Sequence, residues 1–334
     1  MSAVNLPDYI SWFLDPARYV HPVDRVELVQ THISFVLLAG DFVYKFKKPV
    51  NFGFLDFTTL EKREYFCRRE LELNRRLCPE IYLDVITVCR DGAGFAFNGA
   101  EPCEYGVRMK RMDGGRMMGE VIRRGELNES HIRAIVDTLA PFYRKAATGP
   151  AIAEFGTARA VAVNVLENFD QTRGFIGKGA LHQHQFDAIS RYARSFLENE
   201  PLFLERSRER VRDCHGDLYS ANICLADKVY IFDCIEFNER FRYCDVASDV
   251  AFLAMDLDFH GLKPLSELFI SRFVEASGDS GLLDVLPFYK CYRAYVRGKI
   301  GLFTAHAPEV DDVTRQTALK QAEKYFLLAE KYAG

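Results

Sequence analysis

Several familiar signatures are missing from this chain of 334 residues. The P-loop pattern G-x-x-x-x-G-K-[ST] is absent, which excludes a Walker-type nucleotide site. No G-x-G-x-x-G loop stands between the first strands either, so a phosphate there would have to be met without glycine's close backbone approach. There is no C-x-x-C, and nine cysteines, an odd number, give no paired disulfide framework. With no leading apolar segment as well, the expected compartment is the reducing cytoplasm. No run of about 18 apolar residues is available to span a membrane, and there is no internal repeat or low-complexity tract.

An excess of one charge is also lacking. The formal net charge is -4 and the pI is near 6.1, with residues 1–113 and the remainder each close to balance. That leaves no electrostatic footprint for nucleic acid, and no special acidity to attract a polycationic acceptor. The hydrophobic share of 49% and charged share of 27% are ordinary for a globular chain, and the length accommodates two domains.

What is present is a compact set of residues suited to phosphoryl transfer. His215-Gly216-Asp217 is followed by Asn222 and, after two apolar runs, by Asp233. In the pattern H-x-D-x-x-x-x-N, Asp217 would accept the proton of an attacking hydroxyl, while Asn222 and Asp233 offer oxygen ligands to Mg2+. H-G-D-x-x-x-x-N should arise by chance in about two chains per thousand of this length. Ile223–Leu225, Ala226–Lys228 and Val229–Phe232 read as strand, tight turn and strand, a hairpin that would return Asp233 toward Asn222. An Asp and Asn beside a strand also serve as turn and capping residues; the three in register favour chemistry. Cys214, Cys224, Cys234 and Cys244 fall ten apart, which fits buried thiols near these strands and matches no zinc spacing.

On these residues the chain resembles the aminoglycoside phosphotransferase and choline kinase group. Gly216, where protein kinases usually carry arginine, and the Asp245-x-Ala247-x-Asp249 segment are similar to that group. Thr31–Ser34, Tyr44–Val50 and Phe54–Phe57 resemble a bacterial branch often described only as aminoglycoside phosphotransferase-family proteins, some of whose members are fused to a P-loop domain. The resemblance covers most of the chain. It implies an α+β, two-lobed protein-kinase-like fold, with a small β-rich N-lobe (1–113) and a larger, mainly helical C-lobe (114–334).

Within the N-lobe, Val26–Leu38 and Asp41–Phe46 read as strands rich in Val, Phe, Ile and Tyr. The resemblance implies a strand lysine that grips the ATP phosphates, for which Lys45 is the candidate and Lys47, on the same face, the rival. A lysine that merely protects a sheet edge is the plainer alternative. A helix over Leu60–Leu77 would bury Phe66, Leu73 and Leu77. On it, Glu70 is the implied partner of the lysine, with Glu64 and Glu72 as alternatives. In the turn Gln30–Ser34, the hydroxyls of Thr31 and Ser34 would stand in for glycine amides. Tyr105–Lys110 reads as the last strand and Arg111–Gly115 as the connector beside which adenine would lie, with Lys110 and Met112 as nucleotide-binding candidates.

Beyond the connector the chain reads as helical, with Asn128 as an N-cap before Ile132, Ile135, Val136, Leu139 and Phe142. Further helices are expected over Thr157–Asp170 and from His182 toward Phe196, with His182 and His184 on different faces as ordinary polar residues. Asp256, Asp258 and His260 lie where the resembled group builds its acceptor pocket, and acidic groups there could hold a cation. Glu236 is a further carboxylate at an unusual spacing. Lys290, Arg293 and Arg297 recur at helical spacing and could face a phosphate or carboxylate, though such stripes are commonly solvated. The expected function is ATP- and Mg2+-dependent phosphorylation of a small-molecule hydroxyl, without nucleic-acid or membrane partners. A kinase-like scaffold acting through a protein partner competes with it, as does a protein-modifying kinase or AMP transferase.

Overall fold

The computed structural model describes residues 6–308 and 310–334. They divide into two compact units: the described residues up to Arg116 together with Tyr230–Asn238, and Met117–Val229 together with Glu239–Gly334.

The first unit is built on an antiparallel sheet. Its elements are α1 (Asp8–Trp12), β1 (Val26–Gln30), β2 (Ser34–Ala39), β3 (Phe42–Lys47), α2 (Leu60–Asn74), β4 (Tyr82–Asp91), β5 (Gly94–Phe97) and β6 (Pro102–Lys110), with strand order β1-β2-β3-β6-β4-β5. The long run from Val26 is therefore two strands. It breaks at Thr31, whose Oγ1 accepts from the Ile33 and Ser34 amides at 3.2 and 2.9 Å, a turn closed by a side chain.

Strand alternation gives the sheet two different faces. Phe35, Leu37 and Ala39 of β2, Tyr44 and Phe46 of β3, and Ile86 and Val88 of β4 form an apolar core with Ile10 and Phe13. Phe46 lies opposite Gly106, where a Cβ would come within 2.6 Å of the ring, so only glycine leaves it room. Lys45 and Lys47 occupy alternate positions on the opposite face.

Helix α2 begins at Thr59, whose hydroxyl accepts from the Lys62 amide, and stops at Asn74, short of Leu77. Past that point the Asn74 carbonyl accepts the Leu77 and Cys78 amides in a turn. Its buried residues are Arg63, Cys67, Glu70, Leu73 and Asn74; Phe66 and Leu77 are only half-buried. The expected apolar stripe is thus largely replaced by a polar one. Polar side chains are buried here because they are paired, Arg63 with Glu104 at 2.8 Å for example, and hydrophobic periodicity cannot register such pairing.

The second unit is mainly helical. It contains α3 (Met118–Arg123), α4 (Glu129–Lys145), α5 (Pro150–Ala153), α6 (Ala158–Thr172), α7 (Gln183–Leu197) and α8 (Glu200–Arg210). Then follow β7 (Val211–Asp213), β8 (Ile223–Leu225), β9 (Val229–Ile231), at whose first residue this stretch of the unit ends, α9 (Glu239–Arg242) and β10 (Tyr243–Asp245). The remaining helices are α10 (Val246–Phe259), α11 (Lys263–Ser277), α12 (Leu282–Ala305) and α13 (Asp312–Ala333).

Asn128 caps α4 through the Ser130 and His131 amides, and Ile132, Ile135, Val136, Leu139 and Phe142 are buried. His182 is the N-cap of α7 rather than part of it, which lets its ring stack on that of His184 with centroids 5.8 Å apart. Every residue of α10 from Val246 to Leu257 is buried, as expected of a helix surrounded by others. Gly298 of α12 permits close contact with α13, since a Cβ there would meet the Phe326 ring at 2.7 Å. Among the described residues no helix is long and apolar enough to cross a membrane.

Candidate active site

The first unit brings Lys45, Lys47, Glu70, Asp233 and Glu236 together. Glu70 is fully buried, and its two carboxylate oxygens are divided between the lysines: Oε1 lies 2.8 Å from Lys45 Nζ and Oε2 2.8 Å from Lys47 Nζ. The first contact is an ion pair, whereas Lys47 donates a hydrogen bond to Oε2. Lys45 also donates to Asp233 Oδ1 at 2.5 Å, and Lys47 to Glu236. The two lysines differ in their surroundings. Lys47 is sealed, with 2% of its side chain exposed, whereas Lys45 reaches an Asp233 side chain that is 45% exposed.

Electrostatics follows from this closure. Burial pushes the Glu70 carboxyl up, but the two ammonium groups outweigh it and hold the carboxyl down at about 2. Burial favours a neutral Lys45, yet Asp233 and Glu70 raise it well above the ordinary lysine value. Glu236 is shifted upward, because burial and Glu70 outweigh Lys47. Glu64 and Glu72 are engaged elsewhere on α2, with Arg68 and Arg69 at 2.7 Å each.

Asp233 has a left-handed backbone, φ 61°, unusual for a residue with a side chain. The conformation is tied down on both sides: the Asp233 amide donates to the Tyr82 hydroxyl at 3.2 Å, and the Cys234 amide to Asn74 Oδ1 at 2.9 Å. Asn74 in turn donates to the Glu70 carbonyl, so α2 holds both the glutamate and the segment carrying Asp233.

The second unit holds Asp217 and Asn222. Asn222 Nδ2 donates to the Asp217 carbonyl at 2.9 Å and to its Oδ2 at 3.0 Å, orienting the carboxylate. The loop is anchored by Asp249, fully buried on α10, which accepts the His215 amide at 2.7 Å, the Gly216 amide at 3.0 Å and the Tyr143 hydroxyl at 3.0 Å. Gly216 has φ 87°, a region that glycine enters without strain. Arg293 Nη1 donates to the Gly216 carbonyl at 3.1 Å, completing the support. Asp249 and Arg293 as anchors escaped sequence reasoning. The Asp245-x-Ala247-x-Asp249 segment was the available signal, with nothing in it to show which backbone it would hold.

The remaining candidates fall outside these two groups. The Thr31 oxygen is occupied by its own turn, and Ser34 is buried with no partner for its hydroxyl. Lys110 is exposed and Met112 half-buried; among the described residues neither side chain bonds to the Lys45 cluster. The acidic residues considered for a cationic acceptor are committed: Asp256 accepts the Ser220 amide at 3.0 Å with His260 at 3.8 Å, and Asp258 meets Lys290 and the Tyr332 hydroxyl at 2.5 Å each. Glu236 is likewise taken by Lys47. Of the four evenly spaced cysteines, Cys214, Cys224 and Cys234 are buried, and all are free thiols.

Each unit presents a hard oxygen of the kind a divalent cation takes, the Asp233 carboxylate in the first and the Asn222 amide oxygen in the second. Among the described residues no three His, Cys, Asp or Glu side chains form a ready-made metal cluster.

No family model matches the sequence. Uncharacterized proteins of Mycobacterium tuberculosis and Mycobacterium bovis are 35% identical over 286 residues, covering 84% of this chain and 56% of theirs. The chain thus spans little more than half the length of these curated relatives. Among solved structures, the GDP complex of aminoglycoside 2'-phosphotransferase-IIIa is similar at a TM-score of 0.57 and 13% identity, over 96% of this chain and 99% of that one. An amicoumacin kinase in complex with AMP-PNP, Ca2+ and Ami gives 0.54 and 11%, over 90% and 87%. A choline/ethanolamine kinase family protein from Mesorhizobium loti gives 0.52 and 15%, over 95% and 94%. With the lysine–glutamate pair on sheet and helix and the anchored His215–Asn222 loop, these likenesses assign the chain the α+β, kinase-like fold of the aminoglycoside phosphotransferases and choline/ethanolamine kinases.

Proposed function

We propose that the protein is a small-molecule kinase that transfers the γ-phosphoryl group of ATP to a hydroxyl. The observation that carries this reading is the Asp217 carboxylate, oriented by Asn222 on a loop whose amides are fixed by Asp249. A merely structural loop has no need to hold a carboxylate in this way while satisfying its backbone from elsewhere. The relatives in fold are kinases of antibiotics and amino alcohols by name, which supports the reaction class and leaves the acceptor to this chain's own residues.

In this mechanism the acceptor oxygen attacks the γ-phosphorus, the bond from that phosphorus to the β,γ-bridging oxygen breaks, and the hydroxyl proton passes to Asp217. ADP and a phosphomonoester result. Lys45 orients the phosphates, and Glu70 keeps its ammonium in place. Asn222 and Asp233 are the proposed oxygen ligands of Mg2+, which when bound offsets phosphate charge. Lys47 and Glu236 act through Glu70, as positioning residues.

The test is thermal stability with Mg2+ plus ATP, GTP or ADP, paired with turnover of the Asp217→Asn variant. Nucleotide should raise the unfolding temperature by mass action, and Lys45→Ala or Asp233→Asn should abolish the shift. Asp217→Asn should keep the shift and lose about 100-fold or more in turnover. A nucleotide-binding or partner-binding scaffold is the second reading, favoured by the Thr31 oxygen being spent on its own turn. It would be adopted if the nucleotide shift occurred without any acceptor-dependent ADP release.

A further inference from the structure

Along α12, Lys290, Arg293 and Arg297 have different fates. Lys290 is neutralised by Asp258 at 2.5 Å. Arg293 is consumed by the Gly216 and Ser248 carbonyls, with Asp249 at 3.6 Å. Arg297, one turn further, forms no ion pair among the described residues, and its buried Nε has no hydrogen-bond partner. Its guanidinium instead lies over the ring of Tyr219, 4.6 Å from the centroid, with the Tyr325 ring at 5.7 Å. The two rings are themselves braced, Tyr219 stacked on Phe252 and Tyr325 on Phe259. Tyr219 is two residues from Asp217; burial works to lower the Arg297 pKa, but its polar surroundings, the Asp217 carboxylate and a side-chain hydrogen bond with Tyr325 among them, outweigh it and leave it raised.

We infer that Arg297 is the acceptor-binding cation, and that the acceptor hydroxyl belongs to a small anion bearing a carboxylate or phosphate. The inference rests on the kinase reading and deepens it. A guanidinium fixed between aromatic faces is pre-organised to form paired hydrogen bonds with such a group. Of the carboxylates that could have received a cationic acceptor, Asp256 holds the Ser220 amide, and Asp258 is ion-paired with Lys290 through Oδ2 while its Oδ1 is buried without a hydrogen-bond partner among the described residues. What the second unit offers near Asp217 is therefore a cation against aromatic rings, with a buried Nε that has no hydrogen-bond partner among the described residues.

The experiment uses the full chain, γ-labelled ATP with Mg2+, and small metabolites from a protein-free bacterial extract, separated beforehand on ion exchangers into anionic, neutral and cationic fractions. Label should enter the anionic fraction. Arg297→Gln should reduce that incorporation by about tenfold or more, the loss expected for a charge-assisted contact, while Arg297→Lys retains more of it. The unfolding temperature and its MgATP shift should persist in both variants. Label confined to the neutral or cationic fraction overturns the inference. So does an absence of label from all three when the wild-type shift is present, or equal incorporation by a folded Arg297→Gln. If Arg297→Gln does not fold, the wild-type fractions and Arg297→Lys decide alone, unreduced labelling by Arg297→Lys with a neutral-fraction preference being the adverse result. An absent MgATP shift in the wild type would instead remove the kinase reading itself, a failure distinguishable from the others.

Discussion

Two clusters, the one around Lys45 in the first unit and the one around the Asp217 loop in the second, bury charge in different ways. In the first, Lys45, Lys47, Glu70, Asp233 and Glu236 close on one another, so that each ammonium meets two carboxylates. In the second, Asp249 accepts backbone amides and lies 3.6 Å from Arg293, Arg293 donates to carbonyls, and Arg297 forms no ion pair among the described residues. A closed network fixes geometry but costs stability if any member is lost. An unpaired cation fixes little and remains available to a ligand.

The sharpest way to break the closed network is Glu70→Ala, which leaves two ammonium groups buried without their shared partner. A loss of about 3–5 kcal/mol in urea unfolding is expected. A loss below about 1 kcal/mol would mean that water already reaches these lysines. In the second unit, Asp249→Ala strands the His215 and Gly216 amides and the Tyr143 hydroxyl. It should cost about 3 kcal/mol in the same measurement and depress turnover through the loop.

Joint replacement sharpens the contrast. Lys47→Met with Glu236→Leu exchanges an ion pair for apolar volume and should change stability by no more than about 2 kcal/mol in either direction. Lys47→Met alone should be clearly worse in calorimetry. Should the double and single variants unfold alike, the pair is not coupled.

Acid should test the network without mutation. Because the lysines hold the folded Glu70 carboxyl at about 2, below its unfolded value near 4.5, its stabilising contribution is complete above about pH 4.5 and fades as pH falls toward 2. Glu236, shifted upward, acts with the opposite sign and moderates the slope. Glu70→Gln should flatten the acid limb of stability against pH; an unchanged limb would point to other carboxylates. The smallest effect is expected at Thr31, where Thr31→Val should cost about 1 kcal/mol and leave the MgATP shift in place, because its oxygen closes the turn.

Much of the local structure was legible in the sequence because it rests on near neighbours. The Asn128 cap with its apolar series, the short strands after Asn222, and the H-G-D-x-x-x-x-N spacing all depend on residues a few positions apart. The buried face of α2 was misread for the same reason: Phe66 and Leu77 looked like core, whereas Arg63 and Glu70 are buried by partners on β3 and β6. Similarly, the acidic residues Asp256 and Asp258 looked available until their partners were known.

By itself, then, the sequence determined which chemical groups exist and the short-range order that presents them: a candidate base, an amide beside it, a strand lysine and a helix glutamate. It took the folded chain to settle which charges find a carboxylate and how exposed that partner is, as with the half-exposed Asp233 beside Lys45 and the buried Glu236 beside Lys47, or with Arg293 and Arg297. The physical reason is that pairing and burial are set by atoms distant along the chain. In a low-dielectric interior that company decides whether an ionised group braces the fold or remains open to a ligand.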